Sequence, residues 1–213
     1  MVEWLNTAFS GFDGGIFSAF NSINSGFLNT FAKYFSYLAE KGIPLILVGV
    51  ILACFAKTRK VGVGIVLAIL IGALFTNVIL KNLVERPRPF LSGYQDYWVQ
   101  AGGVLEDEWS FPSGHSTASM AFALALFLGV NKKYSWLAFV FALVMGISRI
   151  YLVVHYPTDV LAGFIVGSVG AVISYFVTRY AFKKFEENKD KKFCKFVLEF
   201  SVEKLFTKES KSK

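Results

Sequence analysis

Six ionisable residues stand in or beside long apolar runs of this 213-residue sequence: Lys81, Arg88, His115, Arg149, His155 and Asp159. Charged groups at membrane depth are expensive, and where they persist they usually act. The chain has only two histidines, and both belong to this set. A single such histidine is as well explained by a structural role as by chemistry. Six groups at chain positions that meet in space are not. Three cations, two imidazoles and a carboxylate carry a positive excess, which suits a multiply charged anion, and phosphate fits best.

The local sequence around these residues sharpens that chemistry. In Phe111-Pro112-Ser113-Gly114-His115-Ser116, Ser113 can cap the helix that follows. Gly114 permits close backbone approach, so the first free N–H groups face whatever anion sits there. An ordinary capped helix start would explain Ser113 but not His115. Pro157 suits the first position of a helix, which puts Asp159 in the first turn. Its carboxylate could reach back to the ring of His155, fixing the tautomer and raising its basicity. A carboxylate-oriented histidine is what a nucleophile or general base requires. The stretch from Lys81 to Pro89 leaves a helix and turns extended, because residues before proline avoid the α region.

Neighbouring polar residues carry blander expectations. Glu85 and Arg86 are expected to pair locally and to take no part in catalysis. Glu106, Asp107 and Glu108 could recruit a cation, but without metal-type spacing around them they read as solvated loop. Tyr94, Tyr97, Trp98 and Trp109 suit an interfacial aromatic belt or a lid over lipid.

The elements that must position these groups are membrane helices. The chain is 54% apolar, 17% aromatic and only 17% charged, with a net charge of +7. Soluble domains average about 25% charged residues, so disorder, nucleic-acid-binding arms and an ordinary cytosolic enzyme are disfavoured. The length suits one domain, and no low-complexity tract marks a linker. A crossing takes about 20 mostly apolar residues. Val61–Leu80 and Pro157–Phe182 meet this, Tyr134–Ile147 continues apolar to Val154, and the shorter Gly114–Val130 and Gly42–Ala56 complete five spans. The expected fold is therefore an all-α polytopic membrane bundle of five helices, or six if the N-terminal segment inserts. Its divisions are N-terminal helices over 1–42, a transmembrane unit over 43–182 and a basic tail over 183–213.

Loop charges orient the bundle. Lys57, Arg59 and Lys60, then Lys132 and Lys133, then Lys183 and Lys184 alternate properly and should share the cytoplasmic side. The N-terminus, the 81–113 loop and the 154–157 connection then lie outside, and every one of the six ionisable groups falls at an outer helix end. No basic n-region precedes an apolar core at Met1, so no cleavable signal peptide is expected.

The first forty residues carry Phe9, Phe12, Ile16, Phe20, Ile23, Phe27, Phe31, Tyr34 and Leu38 at helical spacing, on one stripe. Gly14-Gly15 and Gly26 are expected to break the run. The stripe reads either as an interfacial helix pair gathering lipid substrate or, by preference, as packing against the bundle. Residues 183–213 hold ten lysines against six acids, with two amphipathic turns over Phe193–Phe200 and a pattern that fails at Lys204. Such a tail could rest on anionic lipid or simply solubilise. Cys54 and Cys194 lie at or beyond the cytoplasmic end, where no disulfide is expected, and neither has a metal-ligand neighbour.

These residues resemble the type 2 phosphatidic acid phosphatase family, which shares its site with vanadium haloperoxidases. The family pattern is K-x6-RP, PSGH and SR-x5-H-x3-D. Here it stands as Lys81…Arg88-Pro89, Pro112-Ser113-Gly114-His115 and Ser148-Arg149…His155…Asp159. The motifs occupy about 80 residues, and joint agreement of three spaced motifs is far more specific than any one. With the surrounding spans the likeness covers roughly residues 43–181.

The resemblance implies that His155 attacks phosphorus to form a phosphohistidine while Asp159 orients it. It implies that His115 protonates the leaving oxygen and then helps activate water. Lys81, Arg88, Arg149, the Ser113 hydroxyl and the Gly114 N–H would hold the phosphoryl oxygens, with neither a metal nor a cofactor. The expected substrate is a lipid phosphate in the plasma membrane, on its extracytoplasmic side. Undecaprenyl diphosphate comes first, ahead of phosphatidylglycerophosphate, phosphatidate and lipid A phosphate. No nucleic acid and no obligate protein partner are implied. The soluble haloperoxidase branch is disfavoured because these spans would not stay soluble. A non-enzymatic anion or lipid transporter could use the same basic pocket. The chain shows no inverted repeat, and its charges sit at helix ends rather than at the midplane.

Overall fold

The structure, a computed structural model, describes residues 2–130 and 132–203. Its helices run in the order α1 (Val2–Ala8), α2 (Ser10–Ser22), α3 (Gly26–Ser36), α4 (Ile43–Ala53), α5 (Arg59–Ala73) and α6 (Lys81–Val84). There follow α7 (Gln95–Gln100), α8 (Gly114–Gly129), α9 (Lys132–Ser135), α10 (Leu137–Tyr151), α11 (Pro157–Glu187) and α12 (Lys192–Glu199). A π-helical stretch, Leu74–Leu80, joins α5 to α6. Four helical runs are long and apolar enough to cross a membrane: Gly26–Ala53, Arg59–Leu91, Lys132–Tyr151 and Pro157–Glu187; Gly114–Gly129 is a shorter apolar helix. The chain is a multi-pass membrane helix bundle.

Helix α8 sits at the centre. It touches α5, α10 and α11, while α5 also packs on α4 and α11. Water does not drive such helices together in lipid, so they associate through close packing of small residues. Helix α11 supplies glycines for that approach. A Cβ at Gly163 would stand 2.6 Å from the carbonyl oxygen of Ser113, and one at Gly167 would stand 2.4 Å from that of Thr117. Across the contact α8 buries Ser116, Thr117, Ala118, Ala121 and Ala125. Ile65, Ala68, Ile69, Met145 and Ala171 complete the core. Leu70, Leu143, Ile165 and Phe176 point outward, as apolar residues do when the solvent is hydrocarbon.

Three expectations need correction. The first span is broken, not simple: Ala39, Glu40 and Lys41 leave helical geometry, and Gly42 takes the left-handed conformation, φ 72°. Helix α4 alone has 11 residues, about 16 Å at 1.5 Å per residue, so only the whole Gly26–Ala53 run reaches across. Second, α2 passes through Gly14-Gly15 without a break, and the chain turns at Ile23–Ser25 instead. Gly14 lies beside Tyr94, whose hydroxyl would be 3.0 Å from a Cβ there. Third, the N-terminal stripe packs only in part: Ile16 and Phe20 lie against buried clusters, while Phe12, Ile23, Phe27, Phe31, Tyr34 and Leu38 are exposed. The docked face is centred elsewhere, with Asp13, Phe17 and Ala32 buried.

The tail begins as a docked helix. Arg59 donates to the carbonyls of Val197 (2.6 Å) and Phe200, and the Val202 N–H donates to Cys54 O at 3.2 Å. The change of pattern expected at Lys204 lies outside the described residues. Cys54 and Cys194 are free thiols.

The α8–α11 contact yields a direct test. Gly167→Val forces the helices apart, and overpacking of this kind costs about 1–3 kcal/mol or more. Its thermal unfolding in detergent should move down by several degrees, with a lower monodisperse yield. An unchanged melting temperature would show that the close approach does not hold the bundle.

Candidate active site

Helix α6 ends where Glu85 adopts the left-handed region, φ 51°, and Arg86-Pro87-Arg88-Pro89 continues without regular structure, Arg88 being extended at φ −66°, ψ 152°. The proline effect on preceding residues accounts for this stretch. It releases both arginines inward. The Nε of Arg88 donates to Glu108 O and its Nη1 donates to Val154 O, each at 2.8 Å. The same Nη1 stands 3.1 Å from Nε2 of His155. At the start of α8, Ser113 caps as expected, its Oγ accepting from the Ser116 N–H at 3.4 Å and the Ser116 hydroxyl at 3.0 Å.

His155 is 2% exposed, and both ring nitrogens have defined neighbours. Its Nδ1 lies 2.8 Å from the carbonyl oxygen of Ser110. A carbonyl only accepts, so Nδ1 carries the proton and Nε2 presents its lone pair beside Arg88. Burial first, and then the positive charges of Arg88, Arg149 and Lys81, hold the imidazole well below the ordinary histidine value. At neutral pH it is an uncharged nitrogen base.

Asp159 does not touch that ring directly. Its Oδ2 is 3.6 Å from Nδ1, beyond hydrogen-bond reach. Oδ2 instead accepts from the Ser110 hydroxyl at 2.5 Å and from the Tyr156 N–H at 2.9 Å. The expected contact is therefore relayed through Ser110, whose side chain is held by Asp159 and whose carbonyl holds His155.

The expectation for Arg86 is overturned. Glu85 is exposed, while Arg86 has a relative exposure of 0%. Its Nη1 donates to Asp159 Oδ1 and Thr158 Oγ1, both at 2.7 Å; its Nη2 donates to Asp13 at 3.0 Å and its Nε to Asn6 at 2.8 Å. The guanidinium also covers the Tyr156 ring, 3.6 Å from its centroid. Asp13 further accepts from the Thr158 N–H and hydroxyl. The N-terminal helices are thereby bolted to the His155–Asp159 corner. Asp13 had one sequence signal: it is the only acid between Glu3 and Glu40, inside an apolar segment.

The acidic trio is not plain solvated loop either. Glu108 pairs with Lys81, and Glu106 pairs with Arg149 and stands 3.6 Å from Arg88. Glu40 Oε2 lies 3.4 Å from Nε2 of His115. These groups surround a cavity of about 220 Å³, lined by Lys81, Arg88, Gly114, His115 and His155 together with Glu40, Glu106 and Glu108. Arg149 borders the adjoining cleft, which Glu106 shares. Ser113 and Asp159 are buried behind the wall. Tyr94, Tyr97 and Trp98 pack against Phe17, Val153 and Tyr156 beneath this loop, so only Trp109, 42% exposed, remains free for a belt or lid.

The six ionisable groups thus converge at one end of the bundle, as a phosphate site requires. A family model described as the PAP2 superfamily matches residues 62–184. The chain belongs to that superfamily. An undecaprenyl-diphosphatase of Sulfolobus acidocaldarius is 30% identical over 70% of this chain and 71% of its own. A phosphatidylglycerophosphatase B of Bacillus subtilis is 34% identical over 73% and 77%. The crystal structure of a transmembrane PAP2-type phosphatidylglycerolphosphate phosphatase from Bacillus subtilis superimposes with a TM-score of 0.62 at 31% identity, covering 87% of this chain and 89% of that one.

The buried Arg86 pairs generate a stability prediction. Removing one partner of a buried ion pair costs about 3–5 kcal/mol, because the other charge is stranded. Asp13→Ala should therefore lower the thermal midpoint markedly and expose α2 to protease. A midpoint equal to that of the parent chain would mean that Arg86 is satisfied without Asp13.

Proposed function

We propose that this PAP2-superfamily lipid phosphatase removes the terminal phosphate of undecaprenyl diphosphate through a phosphohistidine on His155. The observation that carries the reading is the His155 ring, with Nδ1–H committed to Ser110 and an unprotonated Nε2 beside Arg88, on a residue that lines the cationic cavity. Nε2 attacks the terminal phosphorus, a P–N bond forms, and the P–O bond to the lipid monophosphate breaks. His115 delivers a proton to the departing oxygen. It then accepts one from the water that attacks phosphohistidine, releasing inorganic phosphate and restoring both imidazoles. Lys81, Arg88 and Arg149 neutralise the phosphoryl oxygens in place of Glu106 and Glu108, while Ser113 and the Gly114 N–H complete the cradle at the start of α8. Asp159 keeps His155 in place through Ser110, and no metal is required for any step.

The similarity to the Sulfolobus acidocaldarius undecaprenyl-diphosphatase supports the substrate. Phosphatidylglycerophosphate is the second reading, favoured by the likeness to the Bacillus subtilis proteins. The lysine-bearing ends of α5, α9 and α11 support an orientation with the site on the extracytoplasmic face of the plasma membrane. The catalytic unit is 43–182, to which residues 1–42 contribute Asn6, Asp13, Glu40 and the first part of the Gly26–Ala53 crossing, and 183–213 form the cytoplasmic tail.

Phosphate release by the detergent-purified protein, in EDTA, from undecaprenyl diphosphate, phosphatidylglycerophosphate, phosphatidate and lipid A tests this directly. Release should survive EDTA, be fastest with undecaprenyl diphosphate, and fall by about 10⁴-fold or more in His155→Ala, the scale on which nucleophile removal acts. Absence of release from every lipid by folded protein would bring the transporter reading forward.

A pH series adds a second check. The nucleophile works uncharged, and its proton affinity is depressed, so the acid limb of kcat/KM should lie below the 6.5 of an ordinary histidine. A limb above that value, or a flat rate from about pH 5 to 9, would count against these roles.

A further inference from the structure

At the opposite end of α5, α8 and α11 a second cavity of about 300 Å³ opens among Lys57, Lys60, Gly64, Gly129, Thr178 and Arg179. No carboxylate lines it. Among the described residues, none of its three cations enters an ion pair. Arg179 is held at the rim by its hydrogen bond to the hydroxyl of Tyr175, 2.8 Å away.

The start of α5 faces the same space. Thr58, at the N-cap, makes no capping bond; its hydroxyl donates to Leu52 O at 2.7 Å instead. The first N–H of this turn to find a carbonyl is that of Gly62, bonded to Thr58 O at 2.9 Å. The preceding donors of this 15-residue helix are left open, the condition under which a helix N-terminus binds anions. Arg59 does not compete for the space, because its guanidinium is spent on backbone carbonyls of residues 53, 197 and 200.

The cavity floor carries an independent signal. Thr178 is 4% exposed, yet its Oγ1 has no hydrogen-bond partner. Beside it, Ser174 is satisfied by Gly64 O at 2.6 Å. A Cβ added to Gly64 would lie 3.9 Å from Thr178 Oγ1, and both residues line the cavity. A buried hydroxyl without an acceptor or donor is costly. Here it stands below three cations and a free helix N-terminus, among the apolar walls of Ala125, Leu128 and Ala171.

We propose that this cavity, remote from the reaction site, binds a phosphate oxyanion, carried there by the headgroup of an anionic phospholipid. The helix N-terminus and the Thr178 hydroxyl supply donors, Lys57, Lys60 and Arg179 supply charge, and the apolar walls receive the lipid. The site is independent of the proposed phosphatase reaction, since none of its residues touches the catalytic cavity.

Native mass spectrometry of the full chain in neutral detergent tests it, with phosphatidylglycerol, phosphatidylcholine and inorganic phosphate as separate probes. Phosphatidylglycerol is a phosphodiester and does not present the terminal phosphate that the reaction removes. It should bind saturably and more tightly than phosphatidylcholine. A cation near an anionic headgroup contributes about fivefold in affinity, so Lys57→Gln, Lys60→Gln and Arg179→Gln together should weaken it roughly 100-fold. Thr178→Val, which keeps the shape and deletes the hydroxyl, should weaken it about fivefold. Lys81→Gln, at the other end, should leave it unchanged. Retained phosphate release from the triple variant shows that its fold is intact. Saturable binding of inorganic phosphate, lost in the same variants and without phosphatidylglycerol binding, assigns the site to free phosphate. Equal binding of both lipids, or affinities that ignore the triple variant and Thr178→Val, overturns the proposal.

Discussion

Asp159 ties together three of the segments that reach the site. It accepts from Arg86, from the Ser110 hydroxyl and from the N–H of Tyr156, and the carbonyl of the same residue accepts from the Ser113 N–H at 3.0 Å. One residue in the first turn of α11 thus fixes the Lys81–Pro89 stretch, the loop before α8, the first residue of the PSGH motif to enter the cap, and its own helix start. A fully buried carboxylate persists only where its acceptor capacity is met by donors and a positive charge. Arg86 supplies that charge, and Arg86 in turn needs Asp13. The requirement propagates outward from α11 to the N-terminal helices, which lie before the residues matched by the family model.

Much of this is legible in the sequence. Arg149 interrupts an apolar segment and the two histidines sit at the ends of apolar runs, so the cost of charge in hydrocarbon marks them as a set. Span parity brings them to one end, where the structure has them. What sequence reasoning lacked was the direction of pairing. Glu85 adjoins Arg86 in the chain, and adjacency suggested a local pair. The left-handed turn at Glu85 sends the two side chains to opposite fates, one to solvent and one to the buried core. The N-terminal stripe misled in part for a related reason. In water the apolar face of a helix is the buried face, but beside a bilayer apolar residues can face outward. There the polar residue marks the docked side, and Asp13 did so.

The glycines of α11 show how one helix serves several contacts. Gly163 and Gly167 bring α8 close along the middle of the bundle, and that closeness sets Ser113 and the start of α8 against Asp159. Farther along, Gly170 meets α5, where a Cβ would lie 2.9 Å from Ala68 O. Beyond Gly170 the small floor residues give way to Thr178 and Arg179, and the three helices leave a polar cavity between them. Tight packing at one end and a gap at the other both follow from where small residues stand along α11.

The cations in and behind the catalytic cavity divide into two kinds by what balances them. Arg86 is balanced by Asp13 and Asp159, whose side chains are 3% and 0% exposed. Those carboxylates have no path to water, so separating them from Arg86 would strand charge in a low-dielectric interior. Lys81 and Arg149 are balanced by Glu108 and Glu106, whose side chains are 56% and 23% exposed. Glu108 is exposed and exchanges its cation for water at little cost, since exposed pairs contribute only about 0–1 kcal/mol; Glu106, less exposed, releases the buried Arg149 at a higher cost. A phosphoryl group carries more charge and more acceptor oxygens than one carboxylate, and it can engage the lysine and both remaining arginines at once. The fixed pairs keep the cavity shaped, and the exchangeable pairs keep its cations satisfied until an anion of higher charge takes their place.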